Sequence, residues 1–298
     1  MRLSSRRLLR NALEEYMDES QGRPSKAKIG KHCYSCDPTR LPPELADCFV
    51  QLDRDDETNA FINDCVWTAH NVCLQLLYSF VNILLCLFLS RTDINGLLER
   101  GHMFVFSKLH LRKLISRAQF ERDRTSSTLL DIGAGDGCVT QQFGEFATSV
   151  CVTEASVLMR RALQRKNFRV LDLDKWYGPS APTYNLISIL NVLDRCDKPR
   201  TLLSQAYGQL EIGGLLVIAL VLPFAPFVEQ GTRKTKPSER LEISSGSWEE
   251  GVTALWKNVV APLGFQPVAL TRLPYLSEGD LTKEYYMLDN AVLILKKL

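Results

Sequence analysis

The stretch with the clearest chemical meaning in this 298-residue chain covers residues 129–137, Leu-Leu-Asp-Ile-Gly-Ala-Gly-Asp-Gly. Apolar residues typical of a buried strand lead to Asp131, and three glycines follow at alternate positions. Glycines allow a backbone to turn sharply and to approach a ligand closely. Backbone N–H groups at the start of a following helix attract electron-rich groups. The pattern therefore predicts a pocket for a nucleotide-type cofactor.

The spacing of the glycines favours S-adenosylmethionine (SAM) over a dinucleotide. The dinucleotide pattern is G-x-G-x-x-G, and Cys138 stands where its third glycine would be. Glu154 ends the next predicted strand, where an acid can accept hydrogen bonds from both ribose hydroxyls. The predicted cofactor-binding residues of this part are Asp131, Gly133, Gly135 and Glu154. The competing interpretations are a tight turn in another doubly wound protein and, for Glu154, a solvated loop acid.

From the glycine-rich stretch onward, strand patterns alternate with helix patterns. The predicted strands are residues 128–132, 149–153, 169–171, 186–190, 215–222, 266–271 and 291–295. Helical spacing marks residues 157–166 and 200–210. Such alternation predicts a mostly parallel sheet with helices on both faces. The expected fold class is α/β, a class I SAM-dependent methyltransferase with a Rossmann-like seven-stranded sheet and an N-terminal helical extension.

An amide and a carboxylate stand three residues apart at the end of the fourth predicted strand, at Asn191 and Asp194. Ligands of open α/β sheets bind at the carboxyl ends of the strands. The pair could orient a nucleophile toward a methyl donor. It could equally be a helix N-cap followed by an acid in the first helical turn. Both interpretations stay open at this point.

Composition limits the class of protein. A hydrophobic fraction of 45% predicts a sizeable core, and the length suits one large domain or two small ones. A net charge of +2 gives no support for nucleic-acid binding. The nine cysteines are scattered and mostly lie in apolar stretches, which indicates reduced thiols rather than a disulfide framework.

Three parts of the chain are expected: an irregular arm over residues 1–60, poorly ordered before about residue 45, a helical segment over 61–127, and the methyltransferase domain over 128–298. The helical segment contains an almost entirely apolar run at residues 72–90. That run is long enough for one membrane-spanning helix. It is equally typical of a core helix covering the catalytic domain, which we favour because polar residues interrupt it at near-helical spacing.

The basic N-terminus is not followed by a secretory apolar core, so we expect no signal peptide. A mitochondrial presequence and an amphipathic arm both remain open, and the expected location is intracellular, in the cytoplasm, mitochondrion or endoplasmic reticulum. His32, Cys33 and Cys36 form one C-x-x-C with a neighbouring histidine. Because a structural zinc site needs four ligands and no second well-spaced pair is present, we expect no metal.

Six segments together resemble one known family. They are residues 90–96 (Ser-Arg-Thr-Asp-Ile-Asn-Gly), 103–107 (Met-Phe-Val-Phe-Ser), 131–137, 191–197 (Asn-Val-Leu-Asp-Arg-Cys-Asp), 219–224 (Ala-Leu-Val-Leu-Pro-Phe) and 271–276 (Thr-Arg-Leu-Pro-Tyr-Leu). Over residues 65–298 the chain resembles the methyltransferase-like protein nine family, also called DREV. Members of that family are protein-histidine N-pros-methyltransferases.

The resemblance implies methylation of the pros nitrogen of histidine in His-x-His segments of proteins or peptides, where x is small. It implies that Glu154 holds the ribose of SAM, Asn191 lies against the cofactor and Tyr275 approaches it. Asp194 would hold the target imidazole, and Tyr286 would help to bind the peptide. The expected catalytic residues are thus Asp194, Asn191 and Tyr286. We expect the protein to be a monomer.

Two alternatives remain open. One is a SAM-dependent enzyme with a small-molecule or RNA acceptor. The other is a catalytically silent scaffold anchored in a membrane through residues 72–90.

Overall fold

The computed structural model describes residues 29–118, 127–230, 233–243 and 246–298. Its strands are β1 (Met103–Phe104), β2 (Thr128–Ile132), β3 (Ser149–Thr153), β4 (Arg169–Leu171), β5 (Tyr184–Leu190), β6 (Leu210–Val221), β7 (Val228–Gln230), β8 (Arg233–Thr235), β9 (Phe265–Glu278) and β10 (Tyr285–Lys297). Its α-helices are α1 (Pro43–Asp47), α2 (Asp56–His70), α3 (Val72–Leu85), α4 (Arg91–Leu98), α5 (Lys108–Ser116), α6 (Val157–Arg165), α7 (Pro199–Gln209) and α8 (Trp248–Ala254).

Eight of these strands form one sheet in the order β1-β9-β10-β6-β5-β2-β3-β4. The five strands from β6 to β4 run parallel, whereas β10, β9 and β1 add three antiparallel pairings at the other edge. Strands β7 and β8 form a separate small hairpin. The predicted α/β fold of the class I methyltransferase type is confirmed.

Strand β6 lies in the middle of the sheet and is apolar along most of its length, as expected for a strand buried on both faces. Leu216, Ile218 and Leu220 belong to the core on one face. Leu215, Val217 and Ala219 belong to the core on the other. The two cores hold the parallel strands as the fixed middle layer of the molecule.

Serine caps begin four of the helices. The hydroxyl groups of Ser90, Ser107, Ser156 and Ser247 accept hydrogen bonds from backbone N–H groups in the first turns of α4, α5, α6 and α8. Such caps satisfy donors that the helix itself cannot pair, typically worth about 1 kcal/mol each. The capping serines of α4 and α6 also lie beside the candidate site described below.

All seven predicted strands are present, and the sheet has an eighth that the sequence did not predict. Met103 and Phe104 pair with Ser277 and Leu276 at the edge of β9. A two-residue strand has no periodicity to detect, because it exists only through its pairing with a distant strand.

The described part of the N-terminal arm is packed into the fold, which differs from the expected irregular and poorly ordered segment. Tyr34, Leu45 and Leu52 are almost fully buried. The backbone N–H of Val50 donates to Leu270 O at 2.7 Å, and that of Leu270 donates to Cys48 O at 2.9 Å. A few apolar side chains among prolines and charges are therefore enough to attach this arm to β9. The basic segment at the N-terminus lies outside the described residues.

The favoured core-helix interpretation of residues 72–90 is wrong. Within α3 only Gln75 is buried. Apolar side chains at least half exposed extend along and beyond it: Val72, Leu76, Leu77, Phe80, Ile83, Leu84, Leu87 and Phe88. The sheet face that carries Leu215, Val217 and Ala219 is covered by α5, through Leu111, Leu114 and Ile115. Composition shows that a helix is apolar but not which way its apolar face turns.

No single helix in the described ranges is long and apolar enough to span a membrane. Helices α2 and α3 satisfy that test only as a pair, and they meet at an angle of 81°. The break lies at Asn71, whose side chain accepts a hydrogen bond from Leu74 N at 3.2 Å and so starts α3 as a new helix.

Because α3 is exposed and α5 is buried, we expect substitutions in the two helices to change the free energy of unfolding by different amounts. Phe80 is 60% exposed, so Phe80→Ser is expected to change the free energy of unfolding by no more than about 0.5 kcal/mol. The control, Leu111→Ala, removes a fully buried side chain and is expected to cost about 2–5 kcal/mol. Chemical denaturation of both variants measures the difference. A loss from Phe80→Ser as large as that from Leu111→Ala would contradict the described orientation of the helix.

Candidate active site

The glycine-rich loop leaves the end of β2 and is fastened to the end of β3. The N–H groups of Gly133 and Ala134 donate to Thr153 O at 2.9 and 3.0 Å. At Gly133, φ is +76° and an added Cβ would lie 2.5 Å from Val192. Both the left-handed backbone and the lack of space therefore require glycine there.

Asp131 supports this loop from beneath. The hydroxyls of Thr140 and Ser188 donate to its two carboxylate oxygens at 2.5 and 2.7 Å. Burial raises the pKa of Asp131, and these two donors oppose that rise. Asp131 was predicted to bind the cofactor, but its side chain instead ties β2 to β5 and to the turn that follows the loop. We therefore treat it as a positioning residue.

Glu154 lies where the sequence predicted, at the end of β3 and against the loop. Its Oε2 accepts a hydrogen bond from Gly135 N at 2.9 Å, and its Oε1 accepts one from Ser156 N at 2.8 Å. Each carboxylate oxygen retains a second lone pair that a ligand hydroxyl could use. The carboxylate is thus held in position by backbone groups on both sides.

Asp93 extends this arrangement into the N-terminal layer. Its Oδ1 accepts a hydrogen bond from the Ser156 hydroxyl at 2.5 Å, and its Oδ2 accepts one from the Ser90 hydroxyl at 2.7 Å. Helix α4 is thereby connected to the start of α6, next to Glu154. Sequence reasoning assigned no role to Asp93, because its partner lies 63 residues away.

The end of β5 carries buried polar atoms that lack partners. Asn191 has a left-handed φ of +56°, and neither atom of its side-chain amide has a hydrogen-bond partner among the described residues. Asp194 is 3% exposed, and no described group pairs with its Oδ1. A buried polar group without a partner costs about 1–3 kcal/mol. Such atoms are expected to be satisfied by a bound ligand.

The other oxygen of Asp194 is occupied. Arg195 Nη1 lies 2.6 Å from Oδ2, and the guanidinium packs over the ring of Phe227, 3.9 Å from its centroid. Burial raises the pKa of Asp194, and the charge of Arg195 opposes that rise. The carboxylate thus has one oxygen held by a cation and one without a partner among the described residues.

The two predicted tyrosines lie on the β9–β10 hairpin. Tyr275 pairs with Leu288, and Tyr286 pairs with Ser277. Directly paired residues of antiparallel strands share a face, as do residues two apart, so both tyrosines project from the same face. The Tyr275 hydroxyl contacts Met103 Sδ. Burial, and secondarily the negative charge of Asp194, raise the pKa of Tyr275.

Tyr286 lies nearer the hairpin turn and is 37% exposed. Its hydroxyl donates to Asp280 Oδ2 at 3.0 Å and lies 3.2 Å from Thr282 Oγ1. Tyr275 therefore lies deeper in the candidate site, where it is partly buried, and Tyr286 lies at its outer margin.

A second cluster, which sequence reasoning missed, lies beside the glycine loop. His102 Nδ1 is 2.5 Å from Asp136 Oδ2, and Cys138 Sγ is 3.7 Å from the same nitrogen. The hydrogen bond to Asp136 raises the pKa of His102 to about 10. Burial raises the pKa of Asp136, but the bonds from His102 and Cys138 outweigh it and lower that pKa to about 2.

A cavity of about 460 Å³ adjoins this cluster on the N-terminal side. Side chains of α2 and α3 line one wall, among them Phe61 and Tyr78. His102 and Cys138 also line the cavity. Asn191 and Asp194 are not among the residues that line this cavity.

Several known methyltransferases are similar to this chain. A family model described as DREV methyltransferase matches residues 33–297. The structure of N-methyltransferase NodS from Bradyrhizobium japonicum with S-adenosyl-L-homocysteine is 16% identical, with a TM-score of 0.39, over 64% of this chain and 86% of that one. The glycopeptide N-methyltransferase MtfA, complexed with SAM, is 15% identical, with a TM-score of 0.41, over 65% of this chain and 96% of that one.

SAM is the cofactor, and the residues at the sheet edge fit it. Gly133 leaves no room for a side chain, Glu154 offers free lone pairs, and Asn191 has unpartnered amide atoms. The family model covers most of the chain. The chain therefore belongs to the DREV methyltransferase family.

Proposed function

We propose that this chain transfers a methyl group to the pros nitrogen of histidine in His-x-His segments of proteins or peptides. The observation that carries the proposal is the buried Oδ1 of Asp194, which lacks a partner among the described residues. One carboxylate oxygen at the end of β5 is free to accept a hydrogen bond. It suits a substrate that carries one N–H group and one nucleophilic lone pair to receive the methyl group. A neutral imidazole has both.

Asp194 would select the tautomer of that imidazole. A carboxylate that accepts a hydrogen bond from the tele nitrogen keeps the proton there, so the pros nitrogen retains its lone pair. Since an imidazole with a pKa of about 6.5 is largely neutral at physiological pH, no strong base is needed. Holding the ring in line with the methyl group is then the main task of the protein.

The charge of Asp194 also suits the course of the reaction. Bound SAM supplies a methyl group from a positively charged sulfonium. As the new N–CH3 bond forms, the S–CH3 bond breaks and the ring becomes a methylimidazolium. Asp194 then faces a positive charge rather than a neutral ring, which strengthens its hydrogen bond. The tele proton leaves for solvent after transfer, and the ring becomes neutral again.

Arg195 limits how Asp194 can act. Its guanidinium holds Oδ2 at 2.6 Å, so Oδ1 is the oxygen left for the substrate. Stacking on Phe227 keeps that guanidinium in place. Arg195 is therefore a positioning residue in this proposal.

The hairpin face would receive the peptide. Tyr275 brings a partly buried aromatic ring near Asp194, and Tyr286 continues the same face outward to the solvent-exposed end of the hairpin. A segment with its reactive histidine at Asp194 could place its neighbouring residues along this face.

The proposal is tested by incubating the full chain with SAM and a His-Ala-His peptide. Mass spectrometry with standards of both methylhistidine isomers identifies the product. We expect pros-methylhistidine, and no product from a matched Gln-Ala-Gln peptide. Tele-methylhistidine, or methylation only of small molecules or RNA, would contradict the proposal.

The role of Asp194 predicts a selective loss. Asp194→Asn removes the negative charge that stabilises the developing methylimidazolium but keeps the shape, so turnover is expected to fall by about 100-fold or more. Calorimetry is expected to give an unchanged affinity for SAM. The matched control is Asp197→Asn, an exposed acid on the same segment, which is expected to leave turnover unchanged. Normal turnover in Asp194→Asn, or a parallel loss of SAM affinity, would remove Asp194 from this role.

Glu154 is expected to behave in the opposite way. Glu154→Gln weakens charge-assisted hydrogen bonds to the cofactor, so SAM affinity should fall by about 10- to 100-fold. Turnover at saturating SAM should change less. Glu242→Gln, which alters an exposed acid paired with Arg200, serves as the control. An unchanged SAM affinity in Glu154→Gln would exclude the ribose-binding role.

A further inference from the structure

We propose that His102, Asp136 and Cys138 form a binding site for a thiophilic divalent cation, of which Zn²⁺ is the representative. The three side chains offer an imidazole nitrogen, a carboxylate oxygen and a thiolate sulfur. These ligand atoms all lie within 4.8 Å of one another, and they are the one such group of three among the described residues. Zinc sites in proteins use these three ligand types.

The spacing of the nitrogen and sulfur fits a tetrahedral ion. Zn–N and Zn–S bonds of about 2.1 and 2.3 Å at a tetrahedral angle place the two ligand atoms about 3.6 Å apart. The observed separation of His102 Nδ1 and Cys138 Sγ is 3.7 Å. Metal binding therefore requires almost no change in this pair.

The imidazole and the carboxylate must separate by a small amount. His102 Nδ1 and Asp136 Oδ2 lie 2.5 Å apart, whereas two ligands of one tetrahedral zinc lie about 3.4 Å apart. The His102 side chain is 42% exposed and has space to move, while Cys138 N fixes Asp136 through a hydrogen bond of 2.9 Å to Oδ1. Asp136 Oδ2 is thus the oxygen directed at the ion.

Binding is an exchange of protons for a cation. The proton between His102 and Asp136 leaves, and the thiol proton of Cys138 leaves with it, since only deprotonated groups ligate metal. Lys166 Nζ lies 3.4 Å from Cys138 Sγ and 2.8 Å from Asp136 O. Because Lys166 is exposed, its ammonium can keep the carbonyl contact and move away from the sulfur.

The site is open on one side. His102 and Cys138 both line the cavity of about 460 Å³, so the fourth coordination position faces that cavity. Three protein ligands with an open fourth position are typical of zinc sites that exchange a ligand. A bound ion would also fasten the glycine loop to the residue that precedes β1, and so connect metal binding to the cofactor-binding loop.

Cobalt spectroscopy of the metal-stripped full chain tests the proposal, in buffer with a phosphine reductant. Titration with Co²⁺ is expected to produce a thiolate-to-cobalt charge-transfer band and intense visible bands of tetrahedral cobalt, saturating at one equivalent. Zn²⁺ should abolish these bands stoichiometrically. Cys138→Ser should remove the charge-transfer band, and His102→Gln should weaken binding at least 10-fold.

The C-x-x-C motif provides the matched control, because Cys33 and Cys36 are the other candidate ligands from the sequence. The Cys33→Ser/Cys36→Ser double variant is expected to retain the full cobalt spectrum. Circular dichroism and SAM binding confirm that each variant is folded. An absent charge-transfer band in the unaltered chain, or a band that survives Cys138→Ser, overturns the proposal. A band that disappears only in the double variant also overturns it.

Discussion

The candidate site depends on the register of three neighbouring parallel strands. Ile132, the last residue of β2, pairs with Thr153 of β3 on one side and with Ile189 of β5 on the other. The segments that follow these strands therefore emerge side by side at one edge of the sheet. The glycine loop, Glu154 and the segment after β5 would not meet if any of these registers shifted. The buried carboxylate of Asp131, bonded to Ser188 of β5, reinforces that register from within.

Most of this framework could be predicted from local patterns. The first three predicted strands match their observed bounds, because short apolar runs between turn residues leave few alternatives. Features that depend on distant partners could not be predicted. The edge strand at Met103 exists through pairing with β9, and α3 is left exposed because α5 covers the sheet. Local periodicity contains neither piece of information.

The places of the candidate residues in the fold could be predicted, but their contacts could not. Glu154, Asn191 and Asp194 were located correctly at strand ends, because the carboxyl edge of a parallel sheet is where ligands bind. The hydrogen bonds and ion pairs of the site residues could not be predicted from the sequence. Asp131 is a support rather than an open ligand group, and Arg195 occupies one oxygen of Asp194. The unpartnered oxygen that remains is the feature from which the substrate chemistry follows.

The most direct test of the role of Asp194 is a structure of the protein in complex with S-adenosyl-L-homocysteine and a His-Ala-His peptide. It should place the tele nitrogen of the target histidine within hydrogen-bond distance of Asp194 Oδ1, with the pros nitrogen directed at the cofactor sulfur. A ring bound in the opposite orientation would contradict the account. So would a peptide bound elsewhere while Asp194 Oδ1 stays without a partner.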